Sequence, residues 1–250
     1  MKLGMTSFTL RNENPENVLL YAKEAGVQGI EWGVGEHVNL EELKTADEIK
    51  ALSEKYQMKI FSLGAYCRMD NPEDALKNVE AAKRLGAPII RVWAGNKALE
   101  KCDEDYINTI VENTKNMADE AGKYGIKIGF EFHHSTLTET AECAIDLIRN
   151  INKPNVGLYW QPDRDKSDLL NNKEKNMVLP YCVGNMHIQN YTKEGGYMLV
   201  EEISDALHLY YDDIKNENYN LMIEFVKDAS VENLKKDAET LSKIILNNIN

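Results

Sequence analysis

The sequence predicts an α/β fold, a closed (β/α)8 barrel, on three observations. Eight short apolar runs alternate with eight amphipathic helical stretches. Three helix-to-strand passages, AKEAGVQGIEW, AKRLGAPIIRVW and AGKYGIKIGFEF, repeat one grammar of helix end, glycine and buried strand. The first strand-to-helix turn, TLRNENPEN, lacks the G-x-G-x-x-G that an open doubly wound sheet places there. Strict strand-then-helix alternation calls for parallel strands joined by right-handed crossovers. Eight repeats in 250 residues fit one closed barrel, so residues 1–250 read as a single domain.

The elements follow in order. The first strand lies near Lys2–Leu10, and a helix starts at Pro15. There Asn14-Pro15-Glu16 supplies a capping side chain, a proline at the first helical position and an acid in the first turn. Gly26 suits the left-handed position at its end. The second strand, Gly29–Gly33, leads to a helix near Thr45. The third, Lys59–Tyr66, leads to one from Pro72, opened by Asn71-Pro72-Glu73-Asp74 and closed by Gly86. The fourth, Ile89–Gly95, precedes a helix from Asp103 that ends at Gly125. After the fifth, Lys127–His133, the segment Thr136-Leu137-Thr138-Glu139 predicts a helix start at Thr138. The sixth strand, Val156–Pro162, is followed by a helix near Lys166. The seventh, Val183–Asn190, is followed by one near Met198 within a long tyrosine-rich stretch. The eighth, Asn220–Val226, is followed by one from Ser230.

Bulk properties remove several function classes. With 29 basic and 41 acidic residues the net charge is -12. Such a field repels phosphate backbones, and no basic run offsets it, so no nucleic-acid partner is expected. The same charge argues against anionic membranes, and no stretch approaches the roughly 20 apolar residues of a membrane span. The four cysteines, Cys67, Cys102, Cys143 and Cys182, form no C-x-x-C pair. They read as buried, reduced thiols instead of a zinc or disulfide framework. The N-terminus carries no long apolar segment with a small-residue cleavage site. A reducing cytoplasm is the expected compartment.

The chemistry concentrates in the late runs GFEFHH (Gly129 to His134), VGLYWQPD (Val156 to Asp163), VGNMHIQN (Val183 to Asn190) and NLMIEFV (Asn220 to Val226). A carboxylate or imidazole inside a buried strand is costly unless it is paired or holds a metal. In a barrel of this kind, strand C-termini and the loops beyond them form the active face. Side chains two apart share a face. Glu131 and His133 therefore share one, as do Gln161 and Asp163, then Asn185, His187 and Gln189, then Met222, Glu224 and Val226. Taken singly, each has an ordinary reading, a strand-end glutamate paired with a basic residue or an inward histidine satisfied in a core. Their joint placement on four late strands favours Glu131, Gln161, His187 and Glu224 as ligands of one divalent ion. Three oxygens and one imidazole nitrogen suit Mn²⁺ first, with Mg²⁺, Co²⁺ and Zn²⁺ behind it. Glu131 and Glu224 can also act as an acid/base pair flanking a substrate carbon. The ion would polarise a carbonyl or hydroxyl beside it.

These residues carry a family resemblance. Glu131 in GFEFH, the triplet Tyr159-Trp160-Gln161, His187 in HIQN and Glu224 in MIEFV follow the order and spacing of the xylose isomerase-like barrels, the sugar phosphate isomerase/epimerase superfamily. The chain resembles that superfamily over essentially its whole length. GIEWG, GAYCR and RVWAG resemble a subgroup in which Glu31 and His37 sit near the pocket. The resemblance implies a metal-dependent isomerase or epimerase of a small sugar or sugar-like keto compound. On that reading Glu131 and Glu224 would be the catalytic residues, and Glu31 and His37 would orient substrate hydroxyls. From the residues themselves, Arg68 could meet a phosphate or carboxylate, Trp93 could stack on a sugar and His133 could bind a hydroxyl, which makes them further candidate substrate contacts. A sugar-derived dehydratase, a hydroxypyruvate-type isomerase and a non-catalytic sugar-binding barrel are the alternatives. Apurinic-site endonucleases of the superfamily need many histidines, and this acidic chain has five. The expected partner is a small molecule. Among macromolecules only a second copy of the chain is allowed for, because barrels of this type often pair.

Two departures stand out. Gln161 occupies a position where many members place an aspartate, so two carboxylates, not three, would hold the ion, with Asp163 as an alternative ligand. After His187, where sugar 3-epimerases carry an arginine and a glycine-rich turn, the chain reads NYTKEGGY, without an arginine.

Overall fold

A computed structural model describes residues 1–192, 195–212, 214 and 219–247. Its strands are β1 (Lys2–Thr6), β2 (Gly29–Gly33), β3 (Lys59–Gly64), β4 (Ile89–Val92), β5 (Lys127–Glu131), β6 (Val156–Trp160), β7 (Cys182–Ile188) and β8 (Asn220–Ile223). Its helices are α1 (Pro15–Glu24), α2 (Lys44–Tyr56), α3 (Pro72–Leu85), α4 (Glu104–Gly122), α5 (Ala141–Ile151), α6 (Asp168–Val178), α7 (Ser204–Tyr211) and α8 (Val231–Asn247). The strands pair in parallel in sequence order, and β8 closes on β1 to complete the barrel.

Local chemistry places most helix starts. Asn14 accepts from the Asn17 N–H, Asn71 from Glu73 and Asp74, and Asp103 from Tyr106, each satisfying an orphan amide of the first turn. Gly86 ends α3 at φ 79°, a left-handed conformation that costs glycine nothing. Three helices start later than the sequence predicts. Thr138 does not open α5, because its hydroxyl is committed to the Glu131 carbonyl at 2.6 Å, and Thr140 caps instead. Lys166 lies in the loop before α6, its ammonium held by Glu174 and the Glu139 carbonyl, and Ser167 caps. At Met198 there is no helix. A 3-10 turn, Val200–Ile203, precedes α7. Several strands are shorter than predicted, so Gln161 and Glu224 stand one residue past β6 and β8.

Two apolar layers result. Residues such as Ile30, Leu63, Ile90, Phe130, Trp160 and Ile223 cluster with helix residues including Val18, Leu19, Val79 and Leu241. Inside the barrel, Phe61, Tyr159 and Met222 form a separate plug. Burying each such side chain contributes roughly 1.5–3 kcal/mol. Room for the plug comes from glycine. A Cβ on Gly29 would lie 2.5 Å from the Phe61 ring. The β2–β3 register slips so that Ile30 faces Ile60 while Glu31 faces Ser62. That bulge inserts Phe61 as an extra residue. It lets Phe61 fill the plug while Ser62 reaches the buried Glu31. The four cysteines are free thiols. Cys67 is buried, whereas Cys102, Cys143 and Cys182 are half-buried instead of buried as expected. Among the described residues, no helix is long and apolar enough to cross a membrane.

Candidate functional site

Above the plug, polar groups replace apolar ones. Glu31 on β2 and Arg91 on β4 are buried in the barrel, and a Cβ on Gly64 would lie 2.7 Å from Glu31 Oε1 and 2.9 Å from Arg91 Nη2. A side chain at residue 64 would therefore drive the two apart. Glu31 Oε1 accepts from Arg91 Nε at 3.2 Å, while its Oε2 accepts from the Ser62 hydroxyl at 2.7 Å and the Tyr159 hydroxyl at 2.8 Å. The other end of the guanidinium, Nη1, donates to Glu131 Oε2 at 2.9 Å. The same oxygen accepts from Trp93 Nε1.

The next level is the rim. His187 Nδ1 lies 3.2 Å from Glu131 Oε1, 3.2 Å from Gln161 Oε1 and 3.6 Å from Glu224 Oε1. Its Nε2 faces Glu31 Oε1 at 3.4 Å without forming a hydrogen bond. Gln189, two residues beyond His187, donates from one amide nitrogen to Gln161 Oε1 at 2.7 Å and to Glu224 Oε2. Threonine hydroxyls pin the backbone on both sides. Thr138 donates to the Glu131 carbonyl at 2.6 Å, and Thr6 and Thr9 donate to the Glu224 carbonyl at 2.9 and 2.7 Å.

Burial and charge pull the titrating groups apart. Burial raises the Glu31 and Glu131 carboxyls, but Arg91 and His187 outweigh it and hold both below the usual carboxylate range. Burial dominates at Glu224, and with Glu131 and Glu31 nearby its carboxyl is pushed up to about 7. Burial alone would lower His187, but Glu224, Glu31 and Glu131 outweigh it and push the imidazole up to about 10.

The donor set can hold a cation. Ligand atoms of Glu131, His187 and Glu224 lie within 4.8 Å of one another, and Gln161 adds a carbonyl oxygen beside them. Among the described residues, three buried carboxylates, Glu31, Glu131 and Glu224, gather around Arg91 and His187, so negative groups outnumber positive ones in the cluster. Nδ1 of His187 is turned to the ring, and Nε2 faces Glu31 Oε1 at 3.4 Å. Asp163 is outside this group. Its Oδ1 accepts from the Asp165 N–H and closes its own loop, which leaves Gln161 as the residue from β6 in the ring.

Above the ring opens a cavity of about 270 Å³ with aromatic walls, formed by Phe8, Tyr66, Trp93, Tyr191 and Phe225 together with His133. Residues 19–163 match the xylose isomerase-like TIM barrel family. The chain belongs to that family. A 3-dehydroshikimate dehydratase of Bacillus anthracis is 22% identical over 186 residues, 67% of this chain and 66% of that protein. A probable L-ribulose-5-phosphate 3-epimerase, UlaE, of Mycoplasma pneumoniae is 27% identical over 156 residues, 55% of this chain and 51% of that protein. The matches thus span about two thirds and about half the length of these curated relatives. The crystal structure of the probable 3-DHS dehydratase AsbF involved in petrobactin synthesis, also from Bacillus anthracis, superposes with a TM-score of 0.76. It covers 97% of this chain and 99% of its own at 15% identity, a likeness of fold.

In this member of the xylose isomerase-like family, the four residues expected to form the ring do converge. The five expected substrate contacts separate into three groups. Trp93 and His133 line the cavity, with ring centroids 4.9 Å apart. Glu31 lies below the ring, fully buried and hydrogen-bonded to Arg91, Ser62 and Tyr159. His37 and Arg68 do not line the cavity. His37 has Ser7 Oγ and the Glu13 carbonyl at 3.0 Å from its two nitrogens, which turns the ring into the β2 loop. Arg68 packs over the Trp93 ring, 4.3 Å from its centroid, and donates to the Gly95 carbonyl. Sequence reasoning placed Gln189 on the His187 face without a role, passed over Tyr191, and left Arg91 between an anionic ligand and a pairing with Glu31, which is the pairing the structure shows. An arginine inside the apolar run IIRV and a glutamine on the His187 face were the available signals.

Proposed function

We propose that this barrel is a divalent-metal-dependent isomerase or epimerase of a small sugar or sugar-like keto compound, acting by proton transfer beside a carbonyl. The observation that carries the reading is the ring itself, with buried carboxylates and an imidazole gathered at the C-terminal rim beside the Arg91 guanidinium. Glu131, Gln161, His187 and Glu224 would hold the ion. When bound, a dication, Mn²⁺ first and Mg²⁺, Co²⁺ or Zn²⁺ after it, polarises a substrate oxygen and stabilises the negative charge that develops on it. Glu31, 3.4 Å from His187 Nε2, would accept the far N–H of the ligating ring. Arg91 and Trp93 hold Glu131 in place. Glu131 and Glu224 flank the substrate as the groups available for proton transfer. The aromatic side chains of the cavity wall would pack against the apolar face of a sugar.

A second reading within the same chemistry is a dehydratase of a sugar-derived hydroxy ketone, supported by the likeness to the dehydratase of Bacillus anthracis. Both readings begin with removal of a proton next to a carbonyl. The test is a panel of ketoses, aldoses and keto acids incubated with the protein and Mn²⁺ in D₂O. NMR should show exchange of carbon-bound protons that stops on chelation and returns with Mn²⁺. A protein that binds a sugar equally well with and without EDTA and never converts it is a binding module, and the proposal is then wrong.

A further inference from the structure

The opposite end of the barrel carries a second cavity, of about 470 Å³. Lys2, Lys59, Ile89 and Asn220, which open β1, β3, β4 and β8, all line it, and this places it on the N-terminal face. Lys50 and Ser53 of α2 complete a basic wall in a chain whose net charge is -12. Phe61 is also part of the wall and belongs to the apolar plug, which stands between this cavity and the ring at the other end.

Two observations point to an anionic ligand. First, the ammonium groups lack partners. Among the described residues, Lys2, Lys50 and Lys59 form no ion pair and donate no side-chain hydrogen bond, whereas Lys55, Lys77 and Lys235 elsewhere on the surface pair with Glu16, Glu41 and Glu24. The acids close to Lys50 on α2 do not take it. Asp47 is held by Arg84, and Glu54 is unpaired with Lys50 although four residues apart is a spacing that permits it. Lys50 lies across Gly86 instead, where a Cβ would stand 3.7 Å from its Cε. The Ala82 carbonyl at that helix end already accepts from the Gly86 and Ala87 N–H groups. Second, Ser53 is 1% exposed and its hydroxyl has no hydrogen-bond partner. Such a group carries a desolvation cost that an acceptor from a ligand would offset. Lys50 and Ser53 are three residues apart and so share a face of α2. The other polar side chains there are satisfied, since Asn220 donates to Asn185 at 2.7 Å and Asn185 to Ser62 at 3.1 Å.

We infer that this cavity binds a small phosphate monoester, at a site separate from the rim and independent of the metal-dependent reading above. A phosphate group brings about -1.5 to -2 charges at neutral pH and three acceptor oxygens. Lysine meets such a group as a flexible point charge. Three ammonium groups and one hydroxyl donor match that charge and those oxygens, whereas a carboxylate with one charge and two oxygens would leave donors unused. Glu54 is the carboxylate of the lining, and it disfavours a bare anion. It can accept a hydroxyl from the body of an ester, and Met58 and Phe61 give that body an apolar wall.

The test is calorimetric titration of the full chain with glycerol 3-phosphate and with inorganic phosphate at pH 8, with and without EDTA. Glycerol 3-phosphate should bind once per chain whether or not EDTA is present, and more weakly as salt rises. Lys50→Gln and Lys59→Gln should each weaken it by about tenfold. Both side chains are exposed, so neither change should move the melting temperature in phosphate-free buffer. Ser53→Ala separates a ligand contact from a structural role. It removes an unpaired hydroxyl and improves helix propensity, so without ligand the protein should melt at the same or a higher temperature. Its affinity for glycerol 3-phosphate should nonetheless fall by about threefold or more. A lower melting temperature with unchanged affinity overturns the role of Ser53 as a ligand donor. Inorganic phosphate that binds more tightly than the ester overturns the monoester assignment and makes free phosphate the ligand. The site itself is refuted if neither probe binds saturably below about 10 mM, if the lysine substitutions leave binding unchanged, or if EDTA abolishes it.

Discussion

Titrating the metal-free protein with Mn²⁺ should expel protons, and the number expelled should depend on pH in a way the ring dictates. His187 is raised to about 10, so it carries a proton through the neutral range. Glu224 is raised to about 7, so it is mostly protonated at pH 6 and mostly ionised at pH 8. An ion needs both groups deprotonated. Uptake of one Mn²⁺ should therefore release about two protons at pH 6 and about one at pH 8. Integrated between those values, His187 contributes about two decades of apparent affinity and Glu224 about one. Binding should thus tighten by about 10³-fold, or about 4 kcal/mol. The assay is calorimetry at each pH in two buffers of unlike protonation enthalpy, which separates proton release from intrinsic heat. Tight binding that releases no proton at pH 8 would show that His187 is not a ligand. Equal release at the two pH values would remove Glu224 from the shell.

Two further outcomes follow from single substitutions. Gln161→Asp adds a third carboxylate to the ring, so calorimetric Mn²⁺ affinity at pH 8 should rise by about tenfold or more, and an unchanged or weaker affinity places residue 161 outside the shell. Asp237 on α8 accepts the Val200 N–H at 2.8 Å, and burial, with Glu201 and Glu202 nearby, pushes its carboxyl up to about 6. A carboxyl raised in this way favours the fold while neutral, so its contribution is complete below the unfolded value near 4 and is lost as pH rises through about 6. Asparagine keeps the acceptor without the charge. Asp237→Asn should therefore gain about 1–2 kcal/mol in urea melts at pH 8 after allowance for solvent screening. It should match the native protein below pH 4, and equal stability at both pH values refutes the assignment.

What the sequence showed and what it hid divide by the range of the interaction. Strand alternation is local, and it brought Glu131, Gln161, His187 and Glu224 to one rim because each lies on the inward parity of its run. The partners of those side chains are not local. Arg91 joins Glu31, 60 residues before it, to Glu131, 40 residues after it, and no periodicity encodes that bridge. The bulge at Phe61 is equally silent, since an extra residue in β3 leaves the apolar pattern of KIFSLG intact. His37 looked free beside GIEWG only because Ser7 and the Glu13 carbonyl, its actual partners, sit in the preceding unit. Thr138 looked like a helix cap because its other use, on the Glu131 carbonyl, depends on how β5 ends.

The buried charges also explain why this rim cannot be a by-product of stability. Breaking a buried ion pair costs about 3–5 kcal/mol, yet an apolar replacement of the whole pair is often neutral or stabilising. Selection for a stable barrel alone would therefore extend the Phe61, Tyr159 and Met222 plug upward. The chain instead buries Glu31, Arg91, Glu131 and His187 within hydrogen-bonding distance of one another. It also leaves Gly64 bare so that Glu31 and Arg91 can meet. Arg91 neutralises one of the three carboxylates, and His187 can neutralise another only by keeping a proton that an ion would displace. On the proposed function, a cluster that is costly without a cation and balanced with one would receive the ion, and its position under the aromatic cavity would place a substrate beside it.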